Sequence, residues 1–385
     1  MSALFESHQA DAVLRVAAYN RLDFKFALIG SPSSEHKPIR TSIVEAFPSS
    51  ATAKIGLLER LPTELVWKVC AALDVRSCFR LRQTNRRARQ YVSGMHEYRT
   101  VARHALESLW AVLRTGISPH VTISALYQAL CTRGCQICGA EFGGFLFLLT
   151  VTRCCFNCIE LSSRLGVVSL ADVAEGAGVS RHTLQRRLPV LRTLPGTYTM
   201  ERNTWKRRIS AVSCDQAADA LTMLGVSRDT AASVLSGIGE MRMGRYMAST
   251  PLPLFHRATA QVEHGVCCKG CRIALEDKLY GQMVVQGLDD ESVDLWNRSD
   301  QLYSRQGYLN HFPTCPQSIN LWRSSQGGTV AVDEPEFTRR RGYMETWLHG
   351  PSMYMTEPHD NPYSATYTTM DLGGPEIAIS HFIRQ

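Results

Sequence analysis

Two pairs of cysteines, Cys135-x2-Cys138 and Cys155-x2-Cys158, constrain this 385-residue chain more than any other feature. Thiolates two residues apart can fold around one tetrahedral metal ion, and two such pairs complete a four-ligand set. Only sixteen residues separate the pairs, so the chain between them must leave the site and return at once. That stretch holds GGFLFLLTV, glycines followed by a β-prone apolar run, which predicts a knuckle, a strand or hairpin, and a second knuckle. Cys131 and Cys154 stand beside the set, and Cys154 is an alternative to Cys155. A closed set has no position for water, so the expected zinc is structural and not catalytic.

Thirteen cysteines in total is an odd number, no secretory leader pattern opens the sequence, and most of them cluster around x2 pairs. Metal binding therefore fits better than a disulfide framework. A second set follows: Cys268-Lys269-Gly270-Cys271, thirty-nine residues, then His311-x3-Cys315, a Cys3His group with His264 and Cys267 as alternates. Pro313 and Pro316 predict a turn there instead of a continuous helix.

The remaining composition excludes several classes. Lys and Arg total 42 against 35 Asp and Glu, a net +7 distributed in short clusters such as Lys206-Arg207-Arg208 and Arg339-Arg340-Arg341, too weak a signal to demand nucleic acid. The apolar run Phe145 to Leu149 is too short to span a bilayer. No GxSxG elbow, phosphate-cradling loop or HExxH helix is present. The expectation is a soluble intracellular protein of the cytoplasm or nucleus that is not itself an enzyme.

Residues 1–52 carry a short amphipathic pattern (Val13, Val16, Ala17) and Ser/Pro-rich runs, which predict a mobile lead-in. Helical spacing covers Tyr98 to Leu113 and Ile123 to Leu130. SLADVAEGAGVSRHTLQRRL, residues 169–188, resembles the helix-turn-helix of bacterial regulators, with Arg181, His182, Gln185 and Arg186 placed to reach bases or phosphates. A related GVSRDT at Gly225 to Thr230 argues instead that Gly-Val-Ser is punctuation between packed helices. LPVLRTLPGTY, residues 188–198, should run extended over the surface, and two helices should follow, about 214–224 and 227–247, before Pro251 and Pro253 mark a boundary. Met241, Met243 and Met247 read as packing. Beyond Trp322 the Gly/Ser-rich and then polar sequence predicts a largely disordered tail.

The stretch Leu57 to Val92 predicts three short helices. Pro62 suits a first turn, Leu61, Leu65, Val69 and Leu73 recur every four residues, Asp74 and Ser77 open a second helix, and Asn85 caps a third. Leu61-Pro62-Thr63-Glu64-Leu65 with Val69, Leu73, Asp74, Leu81, Asn85-Arg86 and Val92 resembles the F-box, which docks substrate receptors onto the Skp-type adaptor of SCF ubiquitin ligases. Cys78 and Ala88 depart from that pattern, standing where larger apolar residues are commoner. The resemblance implies that Leu61, Pro62, Leu65 and Val69 face the adaptor. The order of this segment, SGMHEYRTV, CQICG, GGFLF, TRCCFNC, LPVLRTLPGTY, CKGC and HFPTCP is similar to a group of fungal F-box proteins of unassigned substrate, across roughly residues 57–322.

The combined expectation is a mainly α chain, a three-helix F-box followed by an irregular helical body with small zinc-knuckle and β-hairpin elements: lead-in 1–52, F-box 53–95, a helical body with the first cysteine cluster 96–250, the second Cys/His cluster 251–325, and a largely disordered tail 326–385. The function implied is the substrate-recognition subunit of an SCF ligase, partnered by the Skp-type adaptor, a cullin and an unknown protein target, with nucleic acid and membrane not expected. A RING-type ligase is disfavoured because 109 residues separate Cys158 from Cys268. The alternative is a DNA-binding regulator using residues 169–188.

Overall fold

Helix-opening side chains fix the local structure at residues 63–94 of the computed structural model. It describes residues 5–30, 37–45, 54–281 and 289–342, with short strands at 366–368 and 381–383. A helix at Thr63–Ala72 follows Pro62, one at Val75–Thr84 is capped by the Asp74 carboxylate accepting from the Ser77 amide, and one at Arg86–Gly94 is capped by Asn85 accepting from the Ala88 amide. Cys78 and Ala88 are fully buried here, and Trp67 donates to the Tyr91 carbonyl at 3.0 Å. These helices continue through His96–His104, Leu106–Arg114 and Ile123–Cys131 into the largest core, which makes the protein mainly α.

The lead-in expected to be mobile is instead docked wherever it is described. Val13, Val16 and Ala17 of the Ala10–Ala17 helix are buried in a second core with Tyr308, Phe312 and Trp322. Residues 18–19 then pair antiparallel with Cys268 and Cys267. The Ile29 amide donates to the Ser249 carbonyl, tying this segment to the main core. Further on, the Lys37–Val44 helix presents its last carbonyls to two guanidiniums: Arg82 donates to the Ser42 and Glu45 carbonyls at 2.7 and 2.8 Å, and Arg89 to Ser42 at 2.6 Å. Cations at a helix C-terminus satisfy carbonyls that have no partner within the helix. The amphipathic pattern was visible, but the surfaces it covers lie tens to hundreds of residues away.

Small sheets join distant segments. The hairpin Phe145–Phe147 with Thr152–Cys154 gains a third strand, Ser249–Pro251, with Leu146 opposite Thr250. The expected boundary near Pro251 is therefore a passage through the core. The 188–198 stretch is extended but not superficial, since Leu191, Leu194 and Tyr198 are buried.

A third core contains the helix-turn-helix-like segment. Strand Val167–Ser169 pairs antiparallel with Ser210–Ser213, Val168 directly opposite Val212. Each strand leads into a helix, Leu170–Gly176 or Cys214–Met223, then a glycine of positive φ, Gly178 (63°) or Gly225 (90°), then Val-Ser-Arg. Ser180 and Ser227 accept from the amides of Thr183 and Thr230 at the same 3.1 Å. The two halves are a local two-fold repeat, so Gly-Val-Ser is punctuation here. The helix expected over 227–247 is interrupted at Gly239 (φ 74°), giving Arg228–Ile238 and Arg242–Met247; Met241 and Met247 are buried as expected. Past Trp322 the chain returns to the body at Ser325 and again at Phe337, 3% exposed, whose ring lies under the Arg272 guanidinium at 3.6 Å. The parts of the expected disordered tail at 343–365, 369–380 and 384–385 lie outside the described residues.

Candidate metal centres

The first cysteine set converges as its spacing predicts. Gly139, at φ 76°, turns the chain after Cys138, and its amide donates to the Cys135 carbonyl at 3.0 Å. The Gln136 amide donates to the Arg153 carbonyl while the Arg153 amide donates to Gln136 Oε1, so the knuckle is bolted to the hairpin. The hairpin ends at Cys154, and Cys155 opens the Phe156–Leu161 helix with Cys158 in its first turn. Sγ atoms of Cys135 and Cys158 lie 3.7 Å apart and those of Cys138 and Cys155 3.6 Å, with all four donors within 4.8 Å of one another. Two thiolates 2.3 Å from one tetrahedral ion stand about 3.8 Å apart, so the group fits a metal of zinc's size. No sulfur is in a disulfide.

Charge is partitioned in the metal-free set. Hydrogen bonds from Cys155 and Cys158 pull the Cys135 thiol well below the usual thiol range, and the shared bond to Cys135 pushes Cys155 up to about 12 and Cys158 higher still. The adjacent Cys154 is wholly buried on the core side, and burial pushes its thiol well up. It is Cys155, not Cys154, that joins the group. Arg153 is fully buried beside it and donates to the Ala129, Leu252 and Pro253 carbonyls at 2.8–3.2 Å.

The second set is built from three places. Cys268 ends the strand paired with residues 18–19, Cys271 lies in the first turn of the Lys269–Gly281 helix, His311 closes the Arg305–His311 helix, and Cys315 caps Pro316–Ser324 after a 3-10 turn at Phe312–Thr314. Pro313 and Pro316 thus make the predicted break. Cys268 Sγ lies 3.7 Å from Cys315 Sγ, and Cys271 Sγ 3.3 Å from His311 Nε2. His311 Nδ1 faces the Tyr303 and Thr314 hydroxyls, each at 3.5 Å, which leaves Nε2 for the metal. Ser318 Oγ is 3.0 Å from Cys268 Sγ. A Cβ added at Gly270 would come within 2.4 Å of the Ser318 nitrogen and 2.7 Å of Cys315 Sγ, so only glycine fits inside this knuckle. Burial lowers the His311 pKa, but bonds and charges from Cys268 and Cys315 outweigh it and bring the imidazole up to about 9 without metal. Cys267 points into the core with its thiol pushed up by burial, and neither it nor His264 joins the group.

Two other candidates were read from sequence. On the Thr63–Ala72 helix and the turn before it, Leu57 (75% exposed), Leu61 (37%), Leu65 (44%) and Val69 (44%) form an outward apolar stripe beside exposed Pro62, while Val66 and Cys70 face the core. Arg181, His182, Gln185 and Arg186 are exposed as well, but the helix bearing them, Arg181–Gln185, has five residues. Sequence reasoning missed the part of residues 10–19 in the second centre; the amphipathic spacing of Val13, Val16 and Ala17 was its signal. Among the described residues no helix is long and apolar enough to cross a membrane. No family model, curated protein or solved structure matches the chain.

Proposed function

We propose that this chain is the substrate-recognition subunit of an SCF-type ubiquitin ligase. The observation that carries this reading is the outward stripe of Leu57, Leu61, Leu65 and Val69 with Pro62, four large apolar side chains left in water on a capped three-helix unit whose other face is packed. Contiguous exposed apolar surface of this kind marks a protein contact, and the resemblance of Leu61-Pro62-Thr63-Glu64-Leu65 to the F-box names a Skp-type adaptor as the partner. The cullin would join through that adaptor, and the remaining body would hold an unknown protein target near activated ubiquitin, supplying proximity and no chemistry of its own. Both centres would carry zinc, four protein ligands filling the tetrahedron and leaving no place for a reacting water.

The test is a pull-down of the full chain with the Skp-type adaptor. Leu61→Ala with Pro62→Ala should weaken capture at least about 30-fold, the scale of losing central apolar anchors. Capture unchanged by the double substitution, or no capture by the unaltered chain, defeats the reading.

A further inference from the structure

The net charge of the chain resides in one segment. Residues 178–214 hold eight Arg and Lys and a single acid, Glu201, whereas the other 348 residues hold 34 basic and 34 acidic side chains. In sequence these cations look like separate short clusters. The fold draws five cations, four from this segment and Arg114 from another, together.

Three hydrogen bonds, two of them between backbone groups, do this. The Arg192 amide donates to the Thr115 carbonyl at 2.8 Å, the Thr193 amide donates to the Ile209 carbonyl at 2.9 Å, and the Thr193 hydroxyl donates to the Arg207 carbonyl at 3.3 Å. Arg192 lies opposite Ser210 in the paired strands, so Arg208 is its diagonal neighbour along the same edge. Arg114, Arg192, Lys206, Arg207 and Arg208 are all exposed. None of the five takes part in an ion pair among the described residues. Like charges collected without counter-charges repel and destabilise the fold. A bound polyanion removes that cost.

The kind of polyanion follows from what accompanies the charge. A protein interface has an apolar centre within its polar rim. Of the exposed large apolar residues, Leu57, Leu61, Leu65, Val69, Leu161, Met223 and Val330 lie outside this segment, and the one that borders it, Phe26, is a single ring under the Arg202 guanidinium at 5.8 Å, not an apolar patch. Seven of its eight cations are Arg, whose planar fork matches phosphate oxygens in pairs. Thr197 and Thr204, opposite each other on the Gly196–Tyr198 and Asn203–Trp205 hairpin, are exposed and add hydroxyl donors of the sort that contact phosphate. We propose that this surface binds the phosphodiester backbone of a nucleic acid without reading its sequence. The proposal is independent of the adaptor contact, which lies on the Thr63–Ala72 helix.

The experiment compares two triple variants of the full chain that change net charge equally, Arg192→Gln/Arg207→Gln/Arg208→Gln and Arg339→Gln/Arg340→Gln/Arg341→Gln, using a labelled mixed-sequence duplex of roughly 20 base pairs and fluorescence anisotropy across a salt series. The first triple should bind about 500-fold more weakly at about 0.1 M salt, with the log–log salt slope shallower by about 2.7, the yield of three phosphate contacts. The second should stay within about twofold, since Arg339 and Arg340 are already paired with Asp333 and Glu336. Lys206→Gln alone, at an exposed position, should take about 0.9 from the slope and guards against a misfolded triple. Equal losses in both triples would reduce the effect to net charge and overturn the proposal. So would the absence of duplex binding, or displacement of the duplex by polyglutamate at equal charge concentration, which would identify the surface as one for acidic polypeptide.

Discussion

The two candidate centres offer nearly the same donors and are assembled in opposite ways. The Cys135–Cys158 group is closed by 24 residues of continuous chain wrapped around one hairpin. The Cys268–Cys315 group spans 48 residues, and its strand is completed by residues 18–19, about 250 positions away. Closing a loop costs entropy that grows slowly with length, so a metal would have more to offset in the second centre and would do more to hold it. The first organises a local unit inside the main core, while the second fastens the N-terminal segment to the far end of the chain. Loss of the first should therefore damage the whole molecule, and loss of the second should release particular segments.

The largest effect that would sharpen this contrast is at the first centre. Cys135→Ser with Cys138→Ser removes a site contributing on the order of 10 kcal/mol, and we expect the zinc content to fall from two ions to one with loss of the cooperative melt, followed by elemental analysis and circular dichroism. Retention of wild-type protease resistance across residues 131–160 in a zinc-free sample would break it. Cys268→Ser with Cys271→Ser should also remove one ion, but hydrogen exchange should rise mainly over residues 10–19 and 305–324, with the main core protected. Uniform deprotection would show that the two centres are one cooperative unit.

Proton release gives a third comparison. Metal uptake must strip Cys155 and Cys158 in one centre, and Cys271 and His311 in the other, all of them held protonated at neutral pH in the metal-free protein. Both affinities should thus rise with pH, by at least about 100-fold per unit below pH 8. Zinc competition with a chromogenic chelator at pH 6, 7 and 8 should give equal slopes for the two single-centre proteins, despite different ligands. The smallest effect expected is Gly270→Ala, costing about 1–3 kcal/mol by overpacking against Ser318 and Cys315 and lowering the zinc affinity of the second centre alone.

The same contrast explains what the sequence disclosed. All eight ligands could be read from x2 and x3 spacings, because a knuckle is a local object whose geometry its own residues dictate. Spacing chose Cys155 but left Cys154 open as an alternative; what removes Cys154 is its place in the hairpin opposite Phe145, wholly buried, which spacing does not reveal. The caps at Asp74, Asn85, Ser180 and Ser227 were local and readable, at least as types. The docking of Val13 and Val16, the three-residue strands, and the gathering of Arg114, Arg192 and Arg208 all depend on partners remote in sequence, where periodicity has no reach.

The pairing of residues 18–19 with 267–268 sets a timetable. Synthesis at 5–20 residues per second puts roughly 12–50 s between the appearance of the first strand and that of its partner. Through that interval Val13, Val16 and Ala17 leave the ribosome with no core to enter, and the site around Cys268 cannot close until Cys315 has followed. Residues 10–19 thus wait for a partner made much later, and a metal bound around Cys268 would hold them in place once that partner arrives.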